Sequence, residues 1–100
     1  MVKHIILWKI NENLSLEEKS AVCINAKREL EGLVGKIPGL VKMNVVITAL
    51  ESSNADMMLD SIFESEAALN VYRDHPDHVR VADSFVRPYT VTRLCLDHIV

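Results

Sequence analysis

The fold class follows from nine residues near the start of the chain, Val2-Lys3-His4-Ile5-Ile6-Leu7-Trp8-Lys9-Ile10. The side chains of a β-strand alternate between its two faces, so Ile6 and Trp8 lie on one face while Ile5 and Leu7 lie on the other. Large apolar side chains therefore stand at the centre of both faces. This pattern predicts a strand that is covered on both sides.

The next segment is predicted to be a helix. Ser15 followed by Glu18 is a capping-box pattern, in which each residue satisfies a backbone N–H of the other. Gly35 is the predicted end of this helix, and Pro38-Gly39 favours a tight turn before the next strand. The expected apolar stripe of the helix consists of Cys23, Ala26, Leu30 and Leu33.

The second half of the chain predicts a hairpin, a broken helix and a last strand. Residues 41–51 and 57–64 are the predicted hairpin strands, since a polar run separates two segments rich in apolar residues. Ser65 is expected to cap a helix that ends near Pro76. The helix restarting at Pro76 should bury Val79, Ala82 and Phe85, with Val81 beside them, and residues 89–97 form the predicted fourth strand.

The order β-α-β-β-α-β predicts an α+β, ferredoxin-like fold, with a four-stranded antiparallel sheet in a single domain over residues 1–100. Two helices can cover only one face of such a sheet. The last strand, like the first, is apolar on both sides, with Val91 and Cys95 opposed to Leu94 and Leu96. An uncovered apolar face predicts a homodimer that packs sheet against sheet around a barrel-like interior, a dimeric α+β barrel.

Composition narrows the possible partners. The formal charge of −3 provides no basic surface, which argues against nucleic acid. No apolar run is long enough to cross a membrane, and the first residues lack a signal-peptide pattern. Cys23 and Cys95 are interpreted as buried, reduced thiols, which favours a cytoplasmic protein.

Two histidines and a tyrosine surround a helix-breaking proline in Tyr72-Arg73-Asp74-His75-Pro76-Asp77-His78. Proline ends one helix and is well suited to begin the next, so the chain should bend here. His75 and Pro76 are predicted to be structural, with the His75 side chain capping the restarted helix or the carbonyl groups that Pro76 leaves free.

His78 is the strongest candidate for a catalytic group. A neutral imidazole is a suitable general base near neutral pH, and Tyr72 could donate a hydrogen bond to the oxygen of a developing enolate. The alternative is that His78 bonds a backbone carbonyl and Tyr72 is an ordinary core residue. Asp74 and Asp77 could orient an imidazole, although solvated carboxylates at helix ends are more common.

A histidine is also expected on the inner face of the first strand. His4 shares that face with Ile6 and Trp8, and a buried imidazole needs a hydrogen-bond partner. Two roles for His4 remain open: it could line a pocket, or it could be a core residue that is hydrogen-bonded within the protein. Trp8 could stack on a ligand or pack in the core. The spacing His75-Pro76-x-His78 lacks the register of helical zinc motifs, so no metal is expected.

Four segments resemble a known family. They are His4-Ile5-Ile6-Leu7-Trp8-Lys9, Ile37-Pro38-Gly39-Leu40, Phe63-Glu64-Ser65-Glu66 before Ala68-Leu69, and Tyr72…His75-Pro76-x-His78. Their order and spacing resemble the stress-responsive dimeric α/β-barrel (Dabb) family over essentially the whole chain. The resemblance implies a ferredoxin-like homodimer with a cavity inside each half of the barrel.

The resemblance also implies site residues. A plant polyketide cyclase of this family closes a ring by aldol condensation without an organic cofactor, and its motif matches His78 as the general base and Tyr72 as a substrate contact. A pocket histidine on its first strand matches His4, and another on its third strand aligns with Met57. The substrate-contacting set implied here is His4, Ile6, Trp8 and Met57.

Several functions remain open from the sequence. One is a cofactor-free enzyme acting on a small carbonyl or polyketide-like molecule. The others are a non-catalytic stress-response or ligand-binding module, a structural dimer with a filled core, and a monooxygenase of the same architecture. The enzyme and binding hypotheses both predict a cavity of about 300 Å³ or more beside Tyr72 and His78.

Overall fold

The computed structural model describes all residues from Met1 to Val100 and confirms the ferredoxin-like α+β fold. Its strands are β1 (Val2–Ile10), β2 (Leu40–Val46), β3 (Met57–Phe63) and β4 (Thr90–Ile99), and its helices are α1 (Leu16–Glu31), α2 (Glu66–Asp74) and α3 (Pro76–Val81). A π-helical turn (Ala82–Val86) and a 3-10 turn (Arg87–Tyr89) connect α3 to β4. None of the helices has both the length and the apolar character needed to cross a membrane.

The sheet has the order β2-β3-β1-β4, and the pairings in it are antiparallel. β1 is therefore central, with β3 on one side and β4 on the other. His4 lies directly opposite Ser61 of β3 and Asp97 of β4. Side chains of directly opposed residues project from the same face of a sheet, so this register places Asp97 beside His4.

The helices cover one face of the sheet. On that face, β1 contributes the buried side chains His4, Ile6, Trp8 and Ile10. The other face of the same strand is open, and Leu7 is 37% exposed. Leu94 and Leu96 of β4, which pair with Leu7 and Ile5, are 64% and 63% exposed. In a single chain, only one side of the two-sided apolar pattern is covered.

Helix α1 begins as its sequence predicts and ends earlier. The Ser15 hydroxyl accepts a hydrogen bond from the Glu18 N–H, and the Glu18 carboxylate accepts one from the Ser15 N–H. The predicted end at Gly35 is wrong, because the helix stops at Glu31 and Gly35 lies in the following turn with φ of +89°. Its buried residues are Val22, Ala26 and Leu30, so Cys23 is only half-buried, and Leu33 is buried just beyond the helix.

One further boundary and one burial prediction need correction. β2 ends at Val46 rather than Glu51, since its partner strand begins at Met57 and leaves the later residues without a strand to pair with. The cysteines are free, but Cys95 is exposed, because β4 is an edge strand that the helices do not cover.

The helix break lies where the sequence predicts it. α2 ends at Asp74, His75 has the extended backbone expected before a proline, and Pro76 is the first residue of α3. The apolar stripe of the restarted helix is confirmed in part, since Ala82 and the neighbouring Val81 are buried. Val79 and Phe85 are half-buried, and the buried residues are Val81, Ala82 and Val86. The π-helical turn accounts for the change from Phe85 to Val86, since its wider hydrogen-bond spacing rotates the residues towards its end.

Candidate functional site

A cavity of about 80 Å³ lies between the helices and the covered face of the sheet. Five residues that the sequence predicts for the site line it, namely His4, Ile6, Trp8, Tyr72 and His78. Leu30, Leu59, Ala82 and Val86 supply further apolar wall, and Thr90 with three arginines completes the lining. The volume corresponds to roughly three water molecules. The sequence-based expectation of about 300 Å³ is therefore wrong for this chain.

The break at Pro76 creates the hydrogen bond that orients His78. In an unbroken helix the carbonyl of Arg73 would accept from the N–H of Asp77. Here the Asp77 N–H donates instead to Nδ1 of His75, 3.1 Å away. The freed Arg73 carbonyl oxygen lies 3.1 Å from Nδ1 of His78. A carbonyl can only accept, so Nδ1 of His78 carries the proton and Nε2 keeps its lone pair.

The pKa of His78 lies below its ordinary value. Burial is the main cause, because it disfavours the charged imidazolium, and the positive charges of Arg87 and Arg93 add to the effect. The hydrogen bond to the Arg73 carbonyl opposes this shift without overcoming it. His78 is therefore neutral at pH 7 and able to accept a proton.

Tyr72 lies at the centre of an aromatic cluster and is 1% exposed. Its ring centroid is 4.1 Å from that of His78, 4.9 Å from that of Phe63 and 6.2 Å from that of His4. Burial raises the pKa of the Tyr72 hydroxyl, and the charge of Arg93 opposes this only weakly. The phenol therefore stays protonated at neutral pH, and no side-chain hydrogen bond of the chain involves its hydroxyl. A ligand in the cavity could accept that bond.

The imidazole of His4 is held by a carboxylate. Its Nδ1 lies 2.5 Å from Oδ1 of Asp97, and Oδ2 of Asp97 accepts a hydrogen bond of 2.7 Å from Nη2 of Arg73. Because an ionised carboxylate can only accept, Nδ1 of His4 carries the proton and Nε2 keeps its lone pair. Ser61 donates to the backbone carbonyl of His4 at 2.7 Å, which further fixes this part of β1.

The pKa of His4 is also lowered. Burial is the largest cause, and the hydrogen bond and charge of Asp97 oppose it, while Arg93 and Arg73 lower the pKa further. Asp97 itself is partly buried, which raises its pKa, but its hydrogen bond with His4 and the charge of Arg73 bring the net value below normal. At neutral pH the pair is thus a neutral imidazole hydrogen-bonded to an ionised carboxylate.

Three arginines, Arg73, Arg87 and Arg93, give the cavity a positive rim. Arg73 pairs with Asp97 at 2.7 Å, and Arg87 pairs with Asp83 at 2.5 Å. The ion pairs and side-chain hydrogen bonds of the chain include none to Arg93. One guanidinium group beside the cavity therefore lacks a counter-charge.

One group of side chains brings possible metal ligands together. His4, Cys95 and Asp97 each offer a ligand atom, and these atoms lie within 4.8 Å of one another. Nδ1 of His4 and Oδ1 of Asp97 are only 2.5 Å apart, which is a hydrogen-bond distance. Two atoms that bind the same metal ion lie farther apart than this, so Nδ1 of His4 and Oδ1 of Asp97 are joined by a proton rather than by a metal ion.

The family model of the stress responsive A/B barrel domain, Dabb, matches residues 2–100. The chain belongs to the Dabb family. No significant match was found among curated protein sequences.

Solved structures place this Dabb domain among dimeric ferredoxin-like proteins. A dimeric protein of unknown function from Bacteroides fragilis is 29% identical, with a TM-score of 0.91 over 97% of this chain and 93% of that one. A hydroxynitrile lyase from Passiflora edulis is 17% identical, with a TM-score of 0.72 and coverages of 99% and 92%. An antibiotic biosynthesis monooxygenase is 14% identical, with a TM-score of 0.75 and coverages of 100% and 98%. The last two share the fold.

Met57, from the predicted substrate-contacting set, and His98, the fourth histidine of the chain, lie away from the cavity. Met57, the predicted counterpart of a pocket histidine, does not line it; Met57 is buried opposite Trp8 at the far end of β3, and Leu59 reaches the cavity instead. His98 is exposed and bonds only a neighbouring carbonyl. The carboxylates of Asp74 and Asp77 hydrogen-bond no imidazole, although the N–H of Asp77 bonds His75.

The charged residues of this Dabb site, Arg73, Asp97 and Arg93, were not predicted from the sequence. A usable signal existed for Asp97, because β1 and β4 are neighbouring antiparallel strands in a ferredoxin-like sheet. A polar residue on the inner face of β1 therefore predicts a polar partner on β4. Arg73 lies within the predicted motif, but its ion pair depends on the long-range position of Asp97.

Proposed function

We propose that this Dabb domain is a cofactor-free acid/base enzyme that removes a proton from a carbon next to the carbonyl group of a small molecule. One observation carries the proposal. The sheltered cavity is lined by two neutral imidazoles whose Nδ1 atoms are occupied, and by a tyrosine hydroxyl without a partner. Such a set offers proton acceptors and a hydrogen-bond donor to the same bound molecule.

His78 is the proposed general base, through Nε2. The substrate C–H bond breaks, its proton passes to Nε2, and its electron pair forms the C=C bond of an enolate while the carbonyl electrons move to oxygen. The hydroxyl of Tyr72 then donates a hydrogen bond to that oxygen. The Arg73 carbonyl, which accepts from Nδ1 of His78, supports the imidazolium that forms. The enolate carbon finally takes a proton back from Nε2 of His78, or it adds to the carbon of a second carbonyl group, whose oxygen then takes that proton.

His4 is proposed to orient the substrate from the sheet side of the cavity. Its Nε2 can accept a hydrogen bond from an enol or hydroxyl group, because Asp97 holds Nδ1 in the protonated form. Asp97 would also stabilise an imidazolium at His4, which makes His4 the alternative base. Separate replacement of the two histidines distinguishes these roles.

The size of the cavity limits the proposed substrate. A volume of about 80 Å³ accommodates a few heavy atoms, which suits a small carbonyl compound rather than an extended polyketide. The proposed chemistry is therefore the proton transfer that begins an aldol or related reaction. Ring closure of a long chain is a less suitable role for this site.

We also propose that the domain is a homodimer through the open faces of its sheets. Leu94 and Leu96 are 64% and 63% exposed beside Leu7. Exposure of these apolar side chains to water is unfavourable, and a second copy packed on this face would bury them. The dimeric state of the Bacteroides fragilis protein supports a second copy as the partner. The cavity lies on the opposite, helix-covered side of the sheet, so it would stay accessible in such a dimer.

Solvent deuterium exchange tests the proposed chemistry. Acetone and pyruvate, in deuterated buffer at pD 7.5, are followed by the loss of their methyl proton signals in NMR. The wild-type domain is expected to accelerate exchange of at least one probe, and His78→Gln to remove about 100-fold or more of that acceleration. His75→Asn is the matched control, since it replaces a neighbouring histidine but keeps a helix-cap acceptor.

The outcomes separate the candidate roles. Loss of exchange in His4→Gln with little effect of His78→Gln would make His4 the base. Binding of both probes without any acceleration by the wild-type domain would overturn the enzyme proposal in favour of a non-catalytic binding module.

A further inference from the structure

The three arginines beside the cavity differ in their charge balance. Asp97 neutralises Arg73, and Asp83 neutralises Arg87, each at hydrogen-bond distance. Arg93 has no carboxylate partner, so the rim of the cavity carries one uncompensated positive charge. The charge is not needed for the fold, since Arg93 is an exposed residue on the edge strand β4.

The position of Arg93 couples it to the other site residues. It lies opposite Trp8 in the pairing of β4 with β1, on the covered face of the sheet, and it lines the same cavity. Its charge lowers the pKa of His4, of Tyr72 and of His78 alike. A guanidinium group that acts on all three residues is close enough to act on a molecule bound among them.

We propose that Arg93 binds the carboxylate of the substrate, and that the domain therefore acts on small oxo acids. A guanidinium group matches a carboxylate through two parallel N–H···O bonds. One uncompensated positive charge suits a group with a single negative charge, and the small cavity disfavours a bulkier phosphate ester. The inference rests on the proposed proton-transfer function and names its substrate class.

Electrostatics give Arg93 a second part in this reaction. The free substrate anion is attracted to the positive rim, and the enolate that forms carries an additional negative charge. Arg93 would stabilise both, and binding of a carboxylate would in turn offset its effect on His78. His78 would then become more basic when an oxo acid is bound than when the cavity is empty.

Comparison of pyruvate with pyruvamide tests the inference. The two have the same shape, but the amide is neutral, so they differ mainly in the charge that Arg93 would recognise. Isothermal titration at pH 7.5 and low salt is expected to give a Kd about tenfold or more lower for pyruvate. Arg93→Gln should remove that preference.

Arg80→Gln is the matched control. Arg80 is also exposed and unpaired, but it lies on α3 and does not line the cavity. Its replacement therefore makes the same change in net charge away from the site. This variant should keep the preference for pyruvate. Equal affinity of the wild-type domain for both probes, or a preference that persists in Arg93→Gln, would overturn the inference.

A second measurement does not depend on ligand binding. The imidazole proton signals of His78 and His4, followed by NMR from pH 4.5 to pH 8, should titrate at higher pH in Arg93→Gln than in wild type, because a nearby positive charge has been removed. Arg80→Gln should leave them unchanged. Unchanged titrations in Arg93→Gln would place the guanidinium too far from the site to bind substrate.

The exchange assay distinguishes this inference from the proposed function. Selective binding of pyruvate without any exchange that depends on His78 or His4 would support the carboxylate site at Arg93 and overturn the proposed enzyme activity. Exchange of acetone as fast as that of pyruvate, unaffected by Arg93→Gln, would support the proposed enzyme activity and overturn the carboxylate site at Arg93.

Discussion

The imidazole ring of His78 lies against the phenol ring of Tyr72, with centroids 4.1 Å apart and ring planes inclined by 35°. These residues are six positions apart, roughly 1.7 turns of a continuous helix, so their side chains would point about 120° apart on one. The break at Pro76 is what brings the two rings together. Their contact is thus a consequence of the bend between α2 and α3.

Tyr72 is expected to have separable packing and hydrogen-bonding roles. Tyr72→Phe keeps the ring and should change the free energy of unfolding by less than about 1.5 kcal/mol, while lowering deuterium exchange. Tyr72→Ala removes a fully buried ring and should cost about 3 to 5 kcal/mol, as for other large buried aromatics. Urea denaturation measures both. Equal destabilisation by the two variants would contradict the separation.

Asp97 is expected to control the basicity of His4. Its hydrogen bond and charge raise the pKa of His4 against the effect of burial, so Asp97→Asn should lower that pKa still further. NMR titration of the His4 ring protons measures the shift. Asp83→Asn is the control, because it breaks only the pair with Arg87. An unaltered His4 titration in Asp97→Asn would show that the pair is not formed.

The two neutral histidines should make the domain sensitive to mild acid. The pKa values of His4 and His78 are lowered in the folded protein, whereas in the unfolded chain they lie near 6.5. Below about pH 6.5 these histidines bind protons in the unfolded chain but not yet in the folded one. The free energy of unfolding is therefore highest above that pH and decreases as the pH falls towards the pKa values of the folded protein.

The slope of this loss should not exceed about 1.4 kcal/mol per pH unit for each histidine. Urea midpoints between pH 7.5 and pH 5 measure it, and a His4→Gln/His78→Gln variant should show a flatter dependence. A midpoint that rises on acidification over this range would be inconsistent with neutral, buried imidazoles.

His75 is expected to stabilise the bend through its side chain. Its Nδ1 accepts from the N–H of Asp77, so His75→Ala should cost about 1 kcal/mol as other lost helix caps do. His75→Asn, which restores an acceptor, should recover most of this loss in thermal unfolding. Similar stability of the Ala and Asn variants would mean that the cap contributes nothing.

The open face of the sheet is expected to hold the dimer together. Leu94→Glu combined with Leu96→Glu should convert a dimer into a monomer, as measured by light scattering after size-exclusion chromatography. Val71→Glu, which places one charge on an exposed apolar position of α2, should remain dimeric. A wild-type mass that stays at 11.3 kDa at all concentrations would refute the dimer.

Local chemistry made much of this fold predictable. The capping box of Ser15 and Glu18, the cap at Ser65 and the break at Pro76 depend on residues within three or four positions of one another, and all three lie where the sequence predicts them. The apolar stripe after Pro76 followed only in part, because regular helical spacing cannot anticipate a π-helical turn.

The electrostatics of the site were not predictable from the same patterns. His4 and Asp97 are 93 positions apart, and only the pairing of β1 with β4 brings them together. The lack of an acidic partner for Arg93 also depends on the tertiary structure, because the nearby carboxylates of Asp97 and Asp83 pair with Arg73 and Arg87 instead. Sequence spacing indicated which histidines to consider but carried no information about their partners.

Arg73 supports the two histidines by different parts of the same residue. Its carbonyl oxygen accepts from His78, and any amino acid at this position would supply that oxygen. Its guanidinium group binds Asp97, and only a side chain of this kind can do so. Substitution at position 73 would therefore change the support of His4 while the hydrogen bond to His78 stays in place, so one base can be adjusted without the other.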